Sequence, residues 1–323
     1  MISKYKINHV MSRDIDSGIF SAILDYFRKY SPIWVEHIES ARPIYGADIY
    51  HYHRPQLELS LEKNAVCTVH HDLNDTDSWL ARHHFITRYA EAAAVVCIND
   101  TQRQILLSEE GLASEKLFVV PHGYNHEMLT LKPVRSGLGG KFTLGMASRR
   151  YSRRVKGEAY LHELLKRLDP MLVKFILVGQ DRSLDALEMR NLGFEVDVFE
   201  RLPYQVFQSF YASIDCLLMC SSHEGGPANV PESLATGTPV LSSRVGMSID
   251  LIVNGDNGYF LDFNPDEDAE LIHRMANSPV AFASLEASSR TLAAKVSTWE
   301  NSIREYLKVY GQTVGCNLNT PPI

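Results

Sequence analysis

Short apolar runs rich in β-branched and aromatic residues alternate with longer stretches of helical spacing along almost the whole chain. INHVM (residues 7–11) reads as a strand and is followed by a helical pattern over Gly18–Tyr30. ADIYHYH (47–53), AVCTVHH (65–71), AVVCIN (94–99) and LFVVPHG (117–123) are further strand candidates, with a helix expected over 82–93. A strand covered on both faces shows a continuous apolar run, because helices pack on either side of a parallel sheet. The pattern therefore predicts a doubly wound α/β fold. Residues 131–140, LKPVRSGLGG, carry a proline, three glycines and little that could be buried, so they read as an interdomain linker and hinge. A second series follows: FTLGMA (142–147), a helix over about 156–168, KFILVG (174–179), VDVF (196–199), DCLLMC (215–220) and TPVLSS (238–243). Near the C-terminus Trp299, Ile303, Leu307 and Tyr310 share helical spacing and predict an amphipathic helix.

A length of 323 residues suits two domains of ~150 residues each. The expected division is 1–134, completed by a C-terminal helix over 298–323, and 140–297. A formal net charge of -7 argues against nucleic acid as a partner, since phosphate backbones demand a basic surface. The opening MISKYKINHV lacks the apolar core of a signal peptide, and no apolar run approaches the ~18 residues of a membrane span. Five cysteines make no disulfide framework; Cys67, Cys97, Cys216 and Cys220 sit in apolar surroundings and read as reduced core residues. These features point to the cytoplasm.

The stretch over 221–262 carries the most chemistry. DCLLMCSS is a strand ending in polar residues. Gly225, Gly226 and Pro227 then turn the chain, and ANVPESLAT is a helix stopped by Gly237 and Pro239. Free N–H groups and the positive end of a helix dipole favour an anion such as a diphosphate at such a turn. Ligands of open α/β sheets bind beyond the carboxyl ends of the strands. Glu224 stands at the mouth of the turn. Glu232 stands in the second turn of the helix, placed to accept ribose hydroxyls.

This string resembles the nucleotide-sugar signature of retaining glycosyltransferases of family 4, which have the GT-B fold. Glu224 and Glu232 match the family's Glu-x7-Glu pair, Gly237-Thr238-Pro239-Val240 its G-T-P-V, and Gly246 opens the loop after it. Asn229 lies one place later than the family's usual Asn, and Asp250 stands where Glu is usual. The resemblance implies two Rossmann-like domains facing across a cleft, with the C-terminal helix, here around Trp299, crossing back to the first domain. It implies Glu224 at the donor sugar hydroxyls and Glu232 on the nucleotide ribose. ASRRYSRRVKG (147–157) resembles the family's G-R-…-K-G, which puts Arg149 and Lys156 on the donor diphosphate, with Arg150 as the alternative and Ser148 in place of a glycine. Fixed cations there answer the negative charge that grows on a departing nucleotide.

The resemblance weakens in the first third. VCTVHHDLND (66–75) is similar to the family's T-x-H-D loop, which makes His70 and His71 candidates for contact with the transferred sugar or the acceptor. Gly18, in the first strand–helix turn, would offer its N–H to the diphosphate. VVPHGYN (119–125) is similar to the family's V-I-P-N-G-V-D. The expected activity is sugar transfer from a nucleotide-diphosphate sugar donor to a glycan or glycolipid acceptor, with retention, by a hexosyltransferase-like enzyme of surface polysaccharide biosynthesis. The leaving diphosphate would take the acceptor proton, so no enzyme nucleophile is nominated. Neither a cofactor nor a metal is expected. The acceptor would place the protein at the inner face of a membrane, although residues 1–135 hold fourteen Lys/Arg against seventeen Asp/Glu and show no electrostatic anchor. Three other readings stand beside this one: a non-catalytic glycosyltransferase-like subunit, a GT-B sugar-nucleotide epimerase, and a metal hydrolase. The last is suggested by eight of 13 histidines falling between His51 and His126, although no spacing among them completes a metal shell. Dinucleotide and P-loop glycine motifs are absent.

Overall fold

The computed structural model of the chain describes residues 5–11, 18–134, 140–151, 153 and 155–321. It divides into two compact units, one of residues 1–123 with 297–323 and one of residues 124–296. Each is an α/β unit built on a six-stranded parallel sheet. Among the described residues no helix is long and apolar enough to cross a membrane.

The first sheet comprises β1 (Tyr5–Val10), β2 (Val35–Ser40), β3 (Ile49–Tyr52), β4 (Ala65–Val69), β5 (Ala94–Cys97) and β6 (Leu117–Val119), in the order β2-β1-β3-β4-β5-β6. Helices α1 (Gly18–Tyr30), α2 (Ile86–Glu91) and α3 (Asp100–Ser108) connect its strands. The helix expected over 82–93 is split. Arg82–His84 form a 3₁₀ turn, and buried Phe85 stacks on His71 at 3.9 Å before α2 begins. The order reverses between β1 and β3, and this is the switch point at which such sheets take ligands.

The second sheet comprises β7 (Phe142–Ala147), β8 (Val173–Val178), β9 (Glu195–Phe199), β10 (Cys216–Met219), β11 (Val240–Ser242) and β12 (Gly258–Phe260), in the order β12-β11-β10-β7-β8-β9. This is the dinucleotide-binding strand order, with its switch point between β7 and β10. Helices α4 (Glu158–Leu165), α5 (Arg182–Asn191), α6 (Phe207–Ser213), α7 (Asn229–Ala235), α8 (Ser248–Leu251), α9 (Pro265–Asn277) and α10 (Pro279–Leu292) belong to this unit. α9 and α10 each begin with proline at the first turn behind a side-chain cap, from Asn264 and Ser278.

Helix α11 (Trp299–Val314) packs in the first unit, where Trp299, Ile303, Tyr306, Leu307 and Tyr310 join Phe20, Ile23 and Phe27 of α1 in one core. Their spacing is the amphipathic stripe that the sequence shows. The stretch read as a linker behaves differently at its start. Lys132 is buried in the second unit, where its Nζ donates to Ile214 O at 3.0 Å and lies 3.5 Å from Glu286. A paired lysine can be buried where a free one could not. Residues 135–139 lie outside the described residues.

Candidate functional site

At the switch point of the second sheet, β7 runs beside β10 and the chain leaves both at their carboxyl ends. The loop after β7 returns against the end of β10: Ser222 N donates to Val155 O at 2.8 Å. Gly157, at φ +78°, lets it lie so close, since a Cβ there would stand 1.9 Å from Cys220 O. This contact carries Lys156 to Glu224, and the two form an ion pair with side chains only 13% and 14% exposed. Ser221 Oγ donates to the same carboxylate oxygen at 2.7 Å. Gly246, at φ +52°, closes the far side of the turn, with its Cβ direction 2.7 Å from the Glu224 and Gly225 carbonyls.

Arg149 and Lys156 both lie over the ring of Tyr151, at 4.1 and 5.4 Å from its centroid. The Tyr151 ring therefore lies against both cations expected at a diphosphate. Arg150 is turned away, with its Nε 3.2 Å from Asp185. Asp185 also accepts from the fully buried Arg182, whose Nε donates to Ser148 O and Nη2 to Ser148 Oγ, both at 2.8 Å. Ser148, unusual at its position, thereby anchors the cationic loop to α5. Asn229 Nδ2 donates to Ala147 O at 3.0 Å and ties the start of α7 to the end of β7.

Glu232 lies in the first turn of α7 rather than the second, because the helix begins at Asn229, and it is buried rather than solvated beside the helix start. Tyr204 donates to one of its oxygens and Tyr211 to the other, each at 2.8 Å. Burial outweighs these two bonds and pushes its carboxyl from the ordinary 4.5 to about 7. Each oxygen keeps a lone pair for a further hydroxyl. Sequence reasoning missed Tyr151, Tyr204 and Tyr211. Tyr151 sits inside the quoted motif and could have been found there. The other two lie on a turn and on α6, with no signal to connect them to Glu232.

In the first unit, Gly18 opens α1; residues 12–17 before it lie outside the described residues. His70 and His71 diverge. The His71 ring stacks on Phe85, its buried Nε2 has no hydrogen-bond partner among the described residues, and burial lowers it to about 4. His70 joins a row of imidazoles instead, its Nε2 2.9 Å from His53 Nδ1. His9, His51 and His53 each offer a nitrogen within 4.8 Å of the others, a separation that one metal ion could bridge. Every ring nitrogen of the three is already hydrogen-bonded. His9 contacts His37 and His53, His53 also contacts His70, and His51 contacts Tyr310 OH and Thr68 Oγ1 at 2.7 Å each. An ion would have to break part of this network.

Residues 138–290 match the family Glycosyl transferases group 1. The D-inositol 3-phosphate glycosyltransferase of Nocardiopsis dassonvillei is 31% identical over 160 residues, which is 46% of this chain and 37% of that protein. The chain thus spans well under half the length of this relative. Sucrose-phosphate synthase from Thermosynechococcus elongatus superposes with a TM-score of 0.76 at 15% identity, covering 97% of this chain and 100% of that one. HepE of Anabaena, in a complex with UDP and glucose, gives a TM-score of 0.70 at 16% identity, covering 94% and 98%. At these identities the structural likeness is one of fold, and that fold is the two-unit α/β architecture of GT-B glycosyltransferases.

Proposed function

Starting from a chain whose residues 138–290 match the glycosyl transferases of group 1, we propose that it transfers a sugar from a nucleotide-diphosphate donor to a hydroxyl of a glycan or glycolipid. The observation that carries this reading is the Lys156–Glu224 pair beside Arg149 and Tyr151, at the switch point of a sheet with the dinucleotide-binding strand order. Lys156 and Arg149 hold the diphosphate, Glu224 takes hydroxyls of the donor sugar, and Glu232 takes the ribose. Arg150 is a reserve cation that would have to leave Asp185 to reach a phosphate. The backbone of Gly225, Gly226 and Pro227 approaches the donor with little side-chain bulk. In the first unit, the likeness to the T-x-H-D loop assigns His70 and His71 to the transferred sugar or the acceptor, and Gly18 is assigned to the diphosphate through its N–H. The UDP complexes of HepE support a uridine nucleotide as the first donor to try.

Reaction on the face that the diphosphate leaves gives retention, and the departing diphosphate is the first base for the acceptor proton. Binding energy realised only as charge grows on the leaving group raises kcat. Lys156→Ala should therefore lower kcat by ~10²–10³-fold, as removal of one preorganised donor does elsewhere. Glu232→Ala should mainly raise the donor KM, because the ribose is remote from the breaking bond. Steady-state kinetics on both folded variants, with a donor found by thermal stabilisation against a panel of nucleotide sugars, provides the check. Folded Lys156→Ala turning over at wild-type rate would contradict the assignment.

A further inference from the structure

Two tyrosines grip Glu232 from different settings. Tyr211 on α6 donates to Oε2, and Tyr204, in the 3₁₀ turn Tyr204–Val206 between β9 and α6, donates to Oε1. Tyr211 is fully buried. Its hydroxyl also lies 3.4 Å from Asn229 O, and its carbonyl accepts from Thr238 Oγ1 at 3.2 Å. It belongs to the frame of the unit. Tyr204 is half-buried and stands at the surface of the same aromatic cluster, its ring 5.6 Å from that of Phe207. Val206 N closes its turn on Pro203 O at 3.0 Å, so the backbone fixes where the hydroxyl points from.

A carboxyl group turns easily about its last torsion. One hydrogen bond leaves its plane free to swing about that anchor, and a second, on the other oxygen, fixes the plane. The remaining lone pairs then point in set directions, one on each oxygen. Each tyrosine donates, so each favours the ionised carboxylate that accepts, while burial favours the neutral acid.

We propose that Tyr204 is a positioning residue of the donor site, which acts through Glu232: its hydroxyl holds Oε1 so that the carboxylate meets two ribose hydroxyls ionised and in a fixed plane. The inference rests on the assignment of Glu232 to the ribose. Tyr211 supplies the matching bond to Oε2, but it cannot be altered without disturbing the core. Tyr204 can, because its side chain lies at the edge of that core.

Burial, Tyr211 and Tyr204 together set the proton affinity of Glu232. The charged groups on the elements packed against α7 are Asp250 on α8, Glu286 and Arg290 on α10 and Lys295 in the 3₁₀ turn after α10, and none of them contributes to it. Glu286 lies by Lys132 Nζ, and Arg290 donates to Lys132 O. The nearest cation of the site, Lys156, is paired with Glu224. Loss of the Tyr204 hydroxyl therefore removes one of the two bonds that oppose burial. The carboxyl moves further up, and at pH 7 a larger share of it is the neutral acid. That form has a proton where the carboxylate has a lone pair, so it accepts fewer hydroxyls. The freed plane adds to the loss, because the binding partner must then order it.

Tyr204→Phe keeps the ring against Phe207 and removes only the hydroxyl. Carbon NMR of the free, full-length chain with labelled glutamate follows the carboxyl titration, the Glu232 signal being the one lost in Glu232→Ala. Its midpoint should rise from about 7 by at least ~0.5 pH unit in Tyr204→Phe. Calorimetry with UDP, ADP and GDP at pH 7 gives the second readout. The Kd of the nucleotide that the wild type binds best should rise ~3–10-fold in Tyr204→Phe. Added to Glu232→Ala, the same change should cost under ~2-fold, since nothing is left for the hydroxyl to hold. Circular dichroism checks the fold of each variant, and Glu232→Gln takes the place of Glu232→Ala should the latter not fold. A tyrosine that only packs would move neither readout, and one that touches the nucleotide itself would show its full loss in Glu232→Ala. An unmoved midpoint, an unchanged Kd or an equal loss in both backgrounds would overturn the inference. Binding weakened by Glu232→Ala but not by Tyr204→Phe sinks the inference and leaves the donor site standing. A wild-type chain that binds none of the nucleotides sinks the donor-site reading, and the role of Tyr204 with it.

Discussion

Glu232 shows most clearly what burial does to one residue. Its carboxyl is raised from 4.5 to about 7, so its folded form prefers the proton. The sign follows from linkage. A raised acid contributes stability in full below its unfolded pKa, and that contribution is lost as pH rises through about 7. Donor binding should run the other way, because the ionised carboxylate is the better acceptor of two ribose hydroxyls. The donor KM should fall between pH 6 and pH 8 in wild type and stay flat in Glu232→Gln; pH-dependent kinetics of the two decides it. Little of this residue's setting was legible in advance. The Glu-x7-Glu spacing singled out Glu224 and Glu232, but the tyrosines that hold Glu232 come from 28 and 21 residues upstream. Lys156 was legible through its Lys-Gly dipeptide, and its partner through the glycine turn after β10.

Among the elements, the alternation of strands and helices was plain wherever strands are central, because a strand covered on both faces must be apolar. The strands left unnamed, β2 and β12, are both sheet edges. β2 reads VEHIES, polar enough to pass for a loop, and it carries His37 into the imidazole row. The loop between β7 and α4 depends on one backbone position. Gly157→Ala would force a side chain into the left-handed region and against Cys220 O, so it should destabilise the second unit by roughly 2–3 kcal/mol and displace Lys156. Chemical denaturation together with donor affinity checks both effects. Helix α11 is held by polar bonds as well as by its apolar stripe. Tyr310→Phe leaves a buried ring nitrogen of His51 unpaired and should cost about 1–3 kcal/mol by the same denaturation assay.

Across the whole molecule, the two units share a design but differ in chemistry. The first sheet has the order of flavodoxin-like proteins and the second that of dinucleotide-binding ones. His9, His37, His51, His53, His70 and His71, which burial holds neutral, all lie in the first unit. A histidine whose folded pKa is depressed stabilises the fold above its unfolded value of 6.5, and that contribution is lost as pH falls toward about 3, the value for His37 and His53. Each such proton steepens the loss by ~1.4 kcal/mol per pH unit. Acid should therefore unfold the first unit before the second, seen as two separated transitions by hydrogen exchange between pH 6.5 and 4. The central claim, sugar transfer from a nucleotide donor, is tested most directly by following nucleoside diphosphate release from a panel of nucleotide sugars, with and without glycan and glycolipid acceptors. The account predicts release that depends on an acceptor, a sugar joined to that acceptor with its anomeric configuration kept, and loss of both in Lys156→Ala. Release of free sugar without any acceptor, or no release from any donor, would contradict it.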